Sequence, residues 1–375
     1  MAEFDVAVVG LGAMGSAALS ALAGRGLRVV GVERFAPGHD RGSSHGATRI
    51  IRLGYFEHPS YVPLVRESYR LWRELETRSA EPLLQVTGIV EIGPPDGQLI
   101  PGTLQSLRLH ALPHDVLDAA DVQRQWPAFS IPSHYVGVYQ PDGGFLLAEA
   151  AIHAQIKLAT QAGAEIRTGE TVHSIKTCHS GARVESDRGP IDARVVIVAA
   201  GPWLSTLVPN LPVSLRVTRQ VMAWFEPVKA ARFSPDEFPV FILESRHQMH
   251  YGFPLDNAAR VKIAKHHHGD QAVDPDHYDR AVSAQDERLI RCALAEHLPD
   301  ANGRLLAAKT CLYTNTPDGN FILERLADRP ALVVASPCSG HGFKFAPVIG
   351  EILADLATTG TTRHDITRFR LDRFG

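Results

Sequence analysis

Gly10, Gly12 and Gly15 stand near the start of the chain in a G-x-G-x-x-G spacing, and Glu33 closes the next apolar run. Glycines at this spacing let a strand turn sharply into a helix whose first N–H groups face a diphosphate. Gly10 permits the tight turn, Gly12 lets backbone approach a pyrophosphate, and Gly15 lets helix pack on strand. The Glu33 carboxylate is placed to accept both hydroxyls of an adenosine ribose. It would repel a 2′-phosphate, with only Arg34 as a counterweight, so the pattern selects a dinucleotide with a free 2′-hydroxyl. NAD and FAD both meet that description, and the motif does not choose between them.

The elements that must position these residues are legible around them. Val6 to Val9 is an apolar strand, residues 16–25 are Ala/Leu-rich and helical, and a second apolar run over 27–32 ends at Glu33. Two further apolar β-branched runs lead into glycine-rich junctions: Arg194-Val-Val-Ile-Val-Ala-Ala-Gly201, and Ala331-Leu-Val-Val-Ala335 before Ser339-Gly-His-Gly-Phe-Lys-Phe345. Runs of this kind are buried in parallel sheets. They fall at the start, middle and end of the chain, so the cofactor domain is expected to be discontinuous: 1–85, 150–215 and 305–375. The intervening segments, 86–149 and 216–304, read as a second domain of mostly antiparallel strands, including 221–225, 240–243, 249–253 and 261–264. Helices are expected at 63–76, 148–161 and 284–296. The fold class is thus a Rossmann-type α/β domain carrying an inserted α+β substrate domain whose sheet roofs the cofactor.

Bulk properties narrow the partners. The 375 residues suffice for two domains, and 21% charged residues with a net charge of -3 give no basic surface for nucleic acid. No apolar stretch approaches the ~18 residues of a membrane span, and the first strand starts within a few residues of Met1, so a cytoplasmic protein is expected. Cys178, Cys292, Cys311 and Cys338 form no C-x-x-C or zinc spacing, and no metal is expected. The tract of His266, His267 and His268 follows a strand, where successive side chains face opposite ways, and reads as a surface turn.

Four motifs together resemble the family of monomeric sarcosine oxidase and N-methyltryptophan oxidase, over essentially the whole chain. They are the Gly10–Gly15 turn with Glu33, Ser44-His-Gly-Ala-Thr-Arg-Ile-Ile-Arg52, Lys309-Thr-Cys311-Leu-Tyr313-Thr with Pro317-Asp318, and Ser339-Gly-His-Gly-Phe-Lys-Phe345. Val261-Lys-Ile-Ala-Lys-His266 and the ending Phe369-Arg-Leu-Asp-Arg-Phe374 lean slightly toward the N-methyltryptophan branch. The resemblance implies an FAD-dependent oxidase, monomeric, that takes an N-methyl amino acid and oxygen and releases formaldehyde, the primary amino acid and hydrogen peroxide. Oxidation of another secondary amine such as pipecolate, and a dehydrogenase that avoids oxygen, are the alternatives. A catalytically silent flavin-binding subunit would not need Arg52, Lys262, Cys311 and Lys344 together.

Residue by residue, Cys311 matches the cysteine that forms a thioether to FAD, although a lone cysteine after a strand is ordinarily core. Cys338 is its only rival. Gly340, Gly342, Phe343 and Lys344 match the flavin-binding loop, and a helix over 346–356 would aim its N-terminus at the flavin. Arg52 and Lys344 match a pair that clamps the substrate carboxylate, for which the planar fork of arginine is suited. Read alone, Arg52 sits on a helix-like stretch over 48–53 and would be a surface residue. His45 and Arg49 match residues bordering the flavin ring, and Tyr251 and Tyr313 match tyrosines near the amine. Lys262 matches a lysine that activates oxygen; by alternation with Val261 and Ile263 it would equally suit a solvent-facing position. Ala47 departs from the family, whose well-known members carry Asp there, so no role is transferred to it.

Overall fold

The computed structural model describes residues 2–178 and 181–375. The N-terminal apolar runs build a parallel core: Phe4–Val9 lies between Val29–Glu33 and Gly189–Val198. Glu165–Thr168 extends it beyond Val29–Glu33. Gly189–Val198 is ten residues long and serves two neighbours. Its first half pairs antiparallel with Gly181–Ser186, and its last three residues pair parallel with Leu332–Ala335. The three runs singled out from sequence therefore meet in one sheet, although some 190 and 135 residues of chain separate them. Helices Ala13–Gly24 and Ala346–Thr358 pack together through Gly350, where an added Cβ would lie 2.6 Å from the backbone of Ala17. Helix Ala148–Gln161 matches its expected bounds, and the helix expected at 63–76 runs over Val62–Ser79.

The second large sheet has eight strands, in the spatial order Leu305–Asn315, Arg216–Phe225, Val261–Lys265, Gln248–Leu255, Val240–Ser245, Ile89–Gly93, Val136–Gln140 and Asp115–Asp118. All its pairs are antiparallel except Val240–Ser245 with Ile89–Gly93. Leu305–Asn315, on the cofactor side of the sequence boundary at 305, pairs along its length with Arg216–Phe225 in this sheet. Thr310 to Thr314 are buried without a break, so both faces of this part of the strand are covered.

Period-two alternation divides this sheet into two faces. Val221, Ala223, Phe225, Phe241, Leu243, Val261 and Ile263 point away and bury Ile290, Leu294 and Leu298 at the helix Ala284–His297. The residues between them share the opposite face. The register aligns Gln220 with Cys311, Trp224 with Lys262, Ala264 with Tyr251, Tyr251 with Ile242, and Ile242 with Glu91. A small third sheet joins Thr48–Ile51, Gly144–Leu147 and Leu84–Val86 under that face. The stretch read as helix-like over 48–53 is thus a strand, because Thr48, Ile50 and Ile51 pair across to Gly144–Leu147. β-Branched residues favour that outcome. Among the described residues, no helix is long and apolar enough to cross a membrane.

Candidate active site

The glycine turn is built as its spacing demands. Gly10 has φ +89°, and a Cβ on Gly15 would sit 1.7 Å from the Gly10 carbonyl oxygen, so neither position admits a side chain. Glu33 is buried at the end of its strand. Its Oε2 accepts the Leu11 N–H at 2.8 Å and its Oε1 accepts the Phe35 N–H at 2.9 Å. Each oxygen keeps a further lone pair for a ligand. From here a cavity of about 550 Å³ runs between the two large sheets. Gly10, Gly12, Glu33 and Trp203 line one end. Cys311, Tyr313 and the loop 340–344 also line the cavity, as do Arg52, Tyr251 and Ile242.

Arg52 stands in a compact charge cluster. Arg52 is 2% exposed, which excludes the surface reading. Its Nη2 lies 2.8 and 3.0 Å from the two Glu57 carboxylate oxygens, and its Nη1 donates to the Gly54 carbonyl at 2.7 Å. Glu91 Oε1 is 3.4 Å from Arg52 Nε. Burial opposes ionisation of Glu57, but Arg52, His341 and Lys344 outweigh it and hold the carboxyl at about 2. Glu91 is fully enclosed, and burial pushes it up to about 7 despite Arg52. Lys344 donates to the His341 carbonyl at 2.7 Å, and burial together with Arg52 brings its ammonium down to about 7.

Cys311 on the cavity wall is 3% exposed, with its thiol raised to about 11 by burial against the opposing pull of Arg49 and Lys262. Tyr313 lies beside it, and the Tyr313 hydroxyl is 3.4 Å from His266 Nδ1. Cys338 also lines the cavity, its sulfur accepting the Thr314 N–H at 3.4 Å. Arg49 Nη2 donates to the Ser43 and His45 carbonyls at 2.8 and 2.5 Å.

Over residues 5–356 the chain matches the family described as FAD dependent oxidoreductase. It belongs to that family. Across its whole length it is 39% identical to a monomeric sarcosine oxidase of Streptomyces avermitilis, covering 98% of this chain and 96% of the relative. It is 37% identical to an N-methyl-L-tryptophan oxidase of Salmonella dublin, covering 99% of each. These two values do not separate the branches. A solved structure of NikD, an unusual amino acid oxidase essential for nikkomycin biosynthesis, superposes with a TM-score of 0.87 at 29% identity, covering 99% of this chain and 98% of that one.

The cavity of this FAD-dependent oxidoreductase suits its cofactor. The hydroxyls of Ser43 and Ser336 on its wall are buried without a hydrogen-bond partner, polar atoms that a dinucleotide could satisfy. Gly12 meets nothing nearer than Ser44 Oγ at 3.4 Å from an added Cβ, leaving backbone open to a phosphate. At the Glu33 end, Asp276 reaches over from the segment following the strand Val261–Lys265. Its carboxylate lies 2.6 Å from Arg34 Nη1 and 3.0 Å from Trp203 Nε1.

Of the residues singled out from sequence, Gly10, Gly12, Glu33, Arg49, Arg52, Tyr251, Cys311, Tyr313, Gly340, Gly342, Phe343 and Lys344 line this one cavity. Gly15, His45 and Lys262 stand behind its wall. His45 is 1% exposed with both ring nitrogens unpartnered, and burial and Arg49 drive it down to about 3, so it is neutral. Lys262 is 3% exposed rather than solvent-facing. The histidine tract is likewise not a plain surface turn. His266 lines the cavity, and His268 is buried with its Nε2 3.0 Å from Asp286.

Sequence reading missed Glu57, Glu91, Asp276 and Tyr55. The Tyr55 hydroxyl lies 2.7 Å from His341 Nδ1. His341 Nε2 faces the Gly319 carbonyl at 3.0 Å and must donate to it, so Nδ1 accepts from Tyr55. Glu57, five positions after Arg52 in a charge-poor segment, was the one available signal.

Proposed function

We propose that this enzyme oxidises the secondary amine of an N-methyl amino acid to an imine, which hydrolyses to formaldehyde and the primary amino acid, with oxygen reduced to hydrogen peroxide. The observation that carries this reading is the shared cavity: a dinucleotide end at Glu33, the cationic side chains of Arg52 and Lys344, and Cys311 line it together. FAD, when bound, supplies the two-electron acceptor and hands the electrons to oxygen. Gly10, Gly12, Glu33 and the 340–344 loop would hold it, and Cys311 rather than Cys338 would carry a thioether link. The buried position of Cys311 on the roof face supports that choice.

Arg52 and Lys344 would receive the substrate carboxylate, in partial exchange for Glu57. Tyr251 is pushed up to about 12 and Tyr313 higher still by burial, so both remain hydroxyl donors. His266 is brought down to about 3 by burial and His267, leaving it neutral. With Arg49 the charged group nearby, the wall disfavours an ammonium and favours the amine with its lone pair free. Lys262 is assigned to the oxygen half of turnover, acting from behind the wall as a buried positive charge. The first sheet with its helices would be the FAD-binding domain and the second sheet the substrate domain, in a monomeric, cytoplasmic enzyme.

Peroxide and formaldehyde release should be measured with sarcosine, N-methyltryptophan, N-methylalanine and pipecolate. Both products are expected from an N-methyl amino acid. Oxidation of pipecolate alone gives no formaldehyde and would replace this reading with the cyclic-amine alternative. Turnover with an artificial acceptor but no peroxide would make the enzyme a dehydrogenase.

A further inference from the structure

Residues 45–48 form an unusual turn. Gly46 has φ +98° and Ala47 φ +68°, two consecutive residues in left-handed territory. The φ of Gly46 is one that any side chain would strain, while an added Cβ would meet the movable end of Met222, its Cε at 2.5 Å. Ala47 is not a glycine, and its Cβ disfavours this left-handed conformation. An observed strain of this kind has to be held by its surroundings.

Glu149 does the holding. It lies in the first turn of the helix Ala148–Gln161. Its Oε1 accepts the Gly46 N–H at 2.7 Å, and its two oxygens accept the Ala47 N–H at 3.2 and 3.0 Å. Burial opposes ionisation of this carboxyl, but the N–H groups outweigh it and keep it below the usual glutamate range. The Ala148 N–H meanwhile donates to the Ala47 carbonyl at 2.8 Å.

With the N–H groups drawn to one side, the carbonyls of Gly46 and Thr48 face the other. Both accept from Lys262 Nζ, at 2.6 and 2.8 Å, and Thr48 Oγ1 lies at 3.2 Å. The ammonium also sits 4.7 Å from the ring centroid of Phe253 and 5.6 Å from that of Trp224. Burial, with Arg49, pulls its ammonium well below the ordinary lysine range, while Cys311 and Glu149 favour the charge.

We infer that Glu149 is a positioning residue for Lys262: by taking the Gly46 and Ala47 N–H groups it turns the Gly46 carbonyl onto the ammonium and helps to fix it behind the cavity wall. The carboxylate and the ammonium do not touch, and the coupling passes through the Gly46–Ala47 peptide, whose N–H meets Glu149 and whose carbonyl meets Lys262. The inference rests on the oxygen-side role proposed for Lys262, and the test separates the two.

Reoxidation of the reduced holoenzyme by oxygen is followed by stopped-flow absorbance in wild type, Glu149→Ala, Lys262→Met and the double variant. Glu149→Ala should slow reoxidation roughly tenfold, the scale of losing hydrogen bonds to a charged group. Glu149→Gln keeps one acceptor oxygen and should recover part of that loss. In the Lys262→Met background the alanine substitution should add about twofold or less, because partners acting as a unit are not additive. The absorption spectrum of the oxidised flavin, read without turnover, should shift in Glu149→Ala in the same sense as in Lys262→Met. A Glu149→Ala effect that persists undiminished in the Lys262→Met background overturns the positioning role, and so does a variant matching wild type in both rate and spectrum. Wild-type reoxidation in Lys262→Met alone would instead overturn the oxygen-side role of that lysine.

Discussion

Arg52 and Glu57 are bound to each other through both carboxylate oxygens, 2.8 and 3.0 Å from a single guanidinium nitrogen, inside the cavity that the arginine is expected to open to substrate. The side chain of Arg52 is 3% exposed and that of Glu57 20%. The glutamate is therefore the more accessible member and the one that can leave. Glu91 stays behind, wholly enclosed, on the guanidinium's Nε side. With Arg52 in its proposed role, a substrate carboxylate would compete with Glu57 for a donor already in use, and Glu91 would hold the arginine in place during the exchange.

Removing the competitor should tighten binding. Glu57→Gln leaves a neutral side chain of the same shape, so a simple carboxylate ligand should bind on the order of tenfold more tightly, about the worth of one charge-assisted contact. Titration of the flavin absorbance with such a ligand reads this directly. Weaker binding in Glu57→Gln would show that Glu57 orients Arg52 rather than competing for it. Arg52→Ala should cost about 2–5 kcal/mol of carboxylate binding and leave an amine without a carboxylate nearly unaffected.

The buried thiol of Cys311 gives a second prediction. If it carries the flavin, acid-precipitated protein stays yellow, and Cys311→Ala releases the colour to the supernatant while Cys338→Ala does not. The raised thiol, at about 11, means that attachment needs a local base or cation to form the thiolate, and Arg49 and Lys262 are the groups that pull it down. Fully extractable wild-type flavin would dismiss the link, and release only on Cys338→Ala would move it.

Much of this arrangement was legible in the sequence because the cofactor cradle is encoded by local rules. The Gly10–Gly15 turn and the three β-branched runs each announce themselves within a dozen residues. Alternation along 216–225 and 261–265 likewise fixes one face of the roof. What escaped reading is set by packing between distant segments. Arg52 reads as a surface residue because nothing nearby reveals Glu91, which arrives from a strand 39 positions later and faces it only through the second sheet's register. Alternation alone leaves a solvent-facing position open for Lys262 for the same reason: its acceptors, Gly46 and Thr48, precede it by more than 200 residues. Asp276 lies in a segment with no motif at all, and it acquires meaning only by landing on Arg34 and Trp203.

That landing leads to a third prediction. Asp276 joins Arg34 and Trp203 over the Glu33 end of the cavity, and Arg280 ties the same segment to Asp40 at 3.0 Å. In the Cys311→Ala protein, where flavin is held without a covalent link, Asp276→Ala should speed FAD release several-fold. Flavin fluorescence recovered on dilution follows it. An unchanged release rate would make the contact an exposed ion pair of the usual small worth.

Glu91 supplies a pH signature. Its carboxyl is raised from the ordinary value to about 7 in the folded protein, with burial the leading cause and Arg52 opposing it. A group raised on folding binds its proton more tightly in the folded state, so its stabilising contribution is complete below the unfolded value near 4.5 and is lost as pH rises through about 7. Glu57 runs the other way: held at about 2, it stabilises above its unfolded value and loses that contribution only as pH falls toward 2. Between pH 5 and 8 only Glu91 of the two changes its contribution. Glu91→Gln keeps the shape and removes the titration. Its melting temperature relative to wild type should therefore rise from pH 5 to pH 8, by roughly 2 °C for each kcal/mol recovered. Gln140 Nε2, now 2.9 Å from Glu91 Oε2, can still donate to the new amide oxygen. A difference that is flat across this range would mean that Glu91 stays ionised throughout, paired with Arg52 strongly enough to overcome its burial.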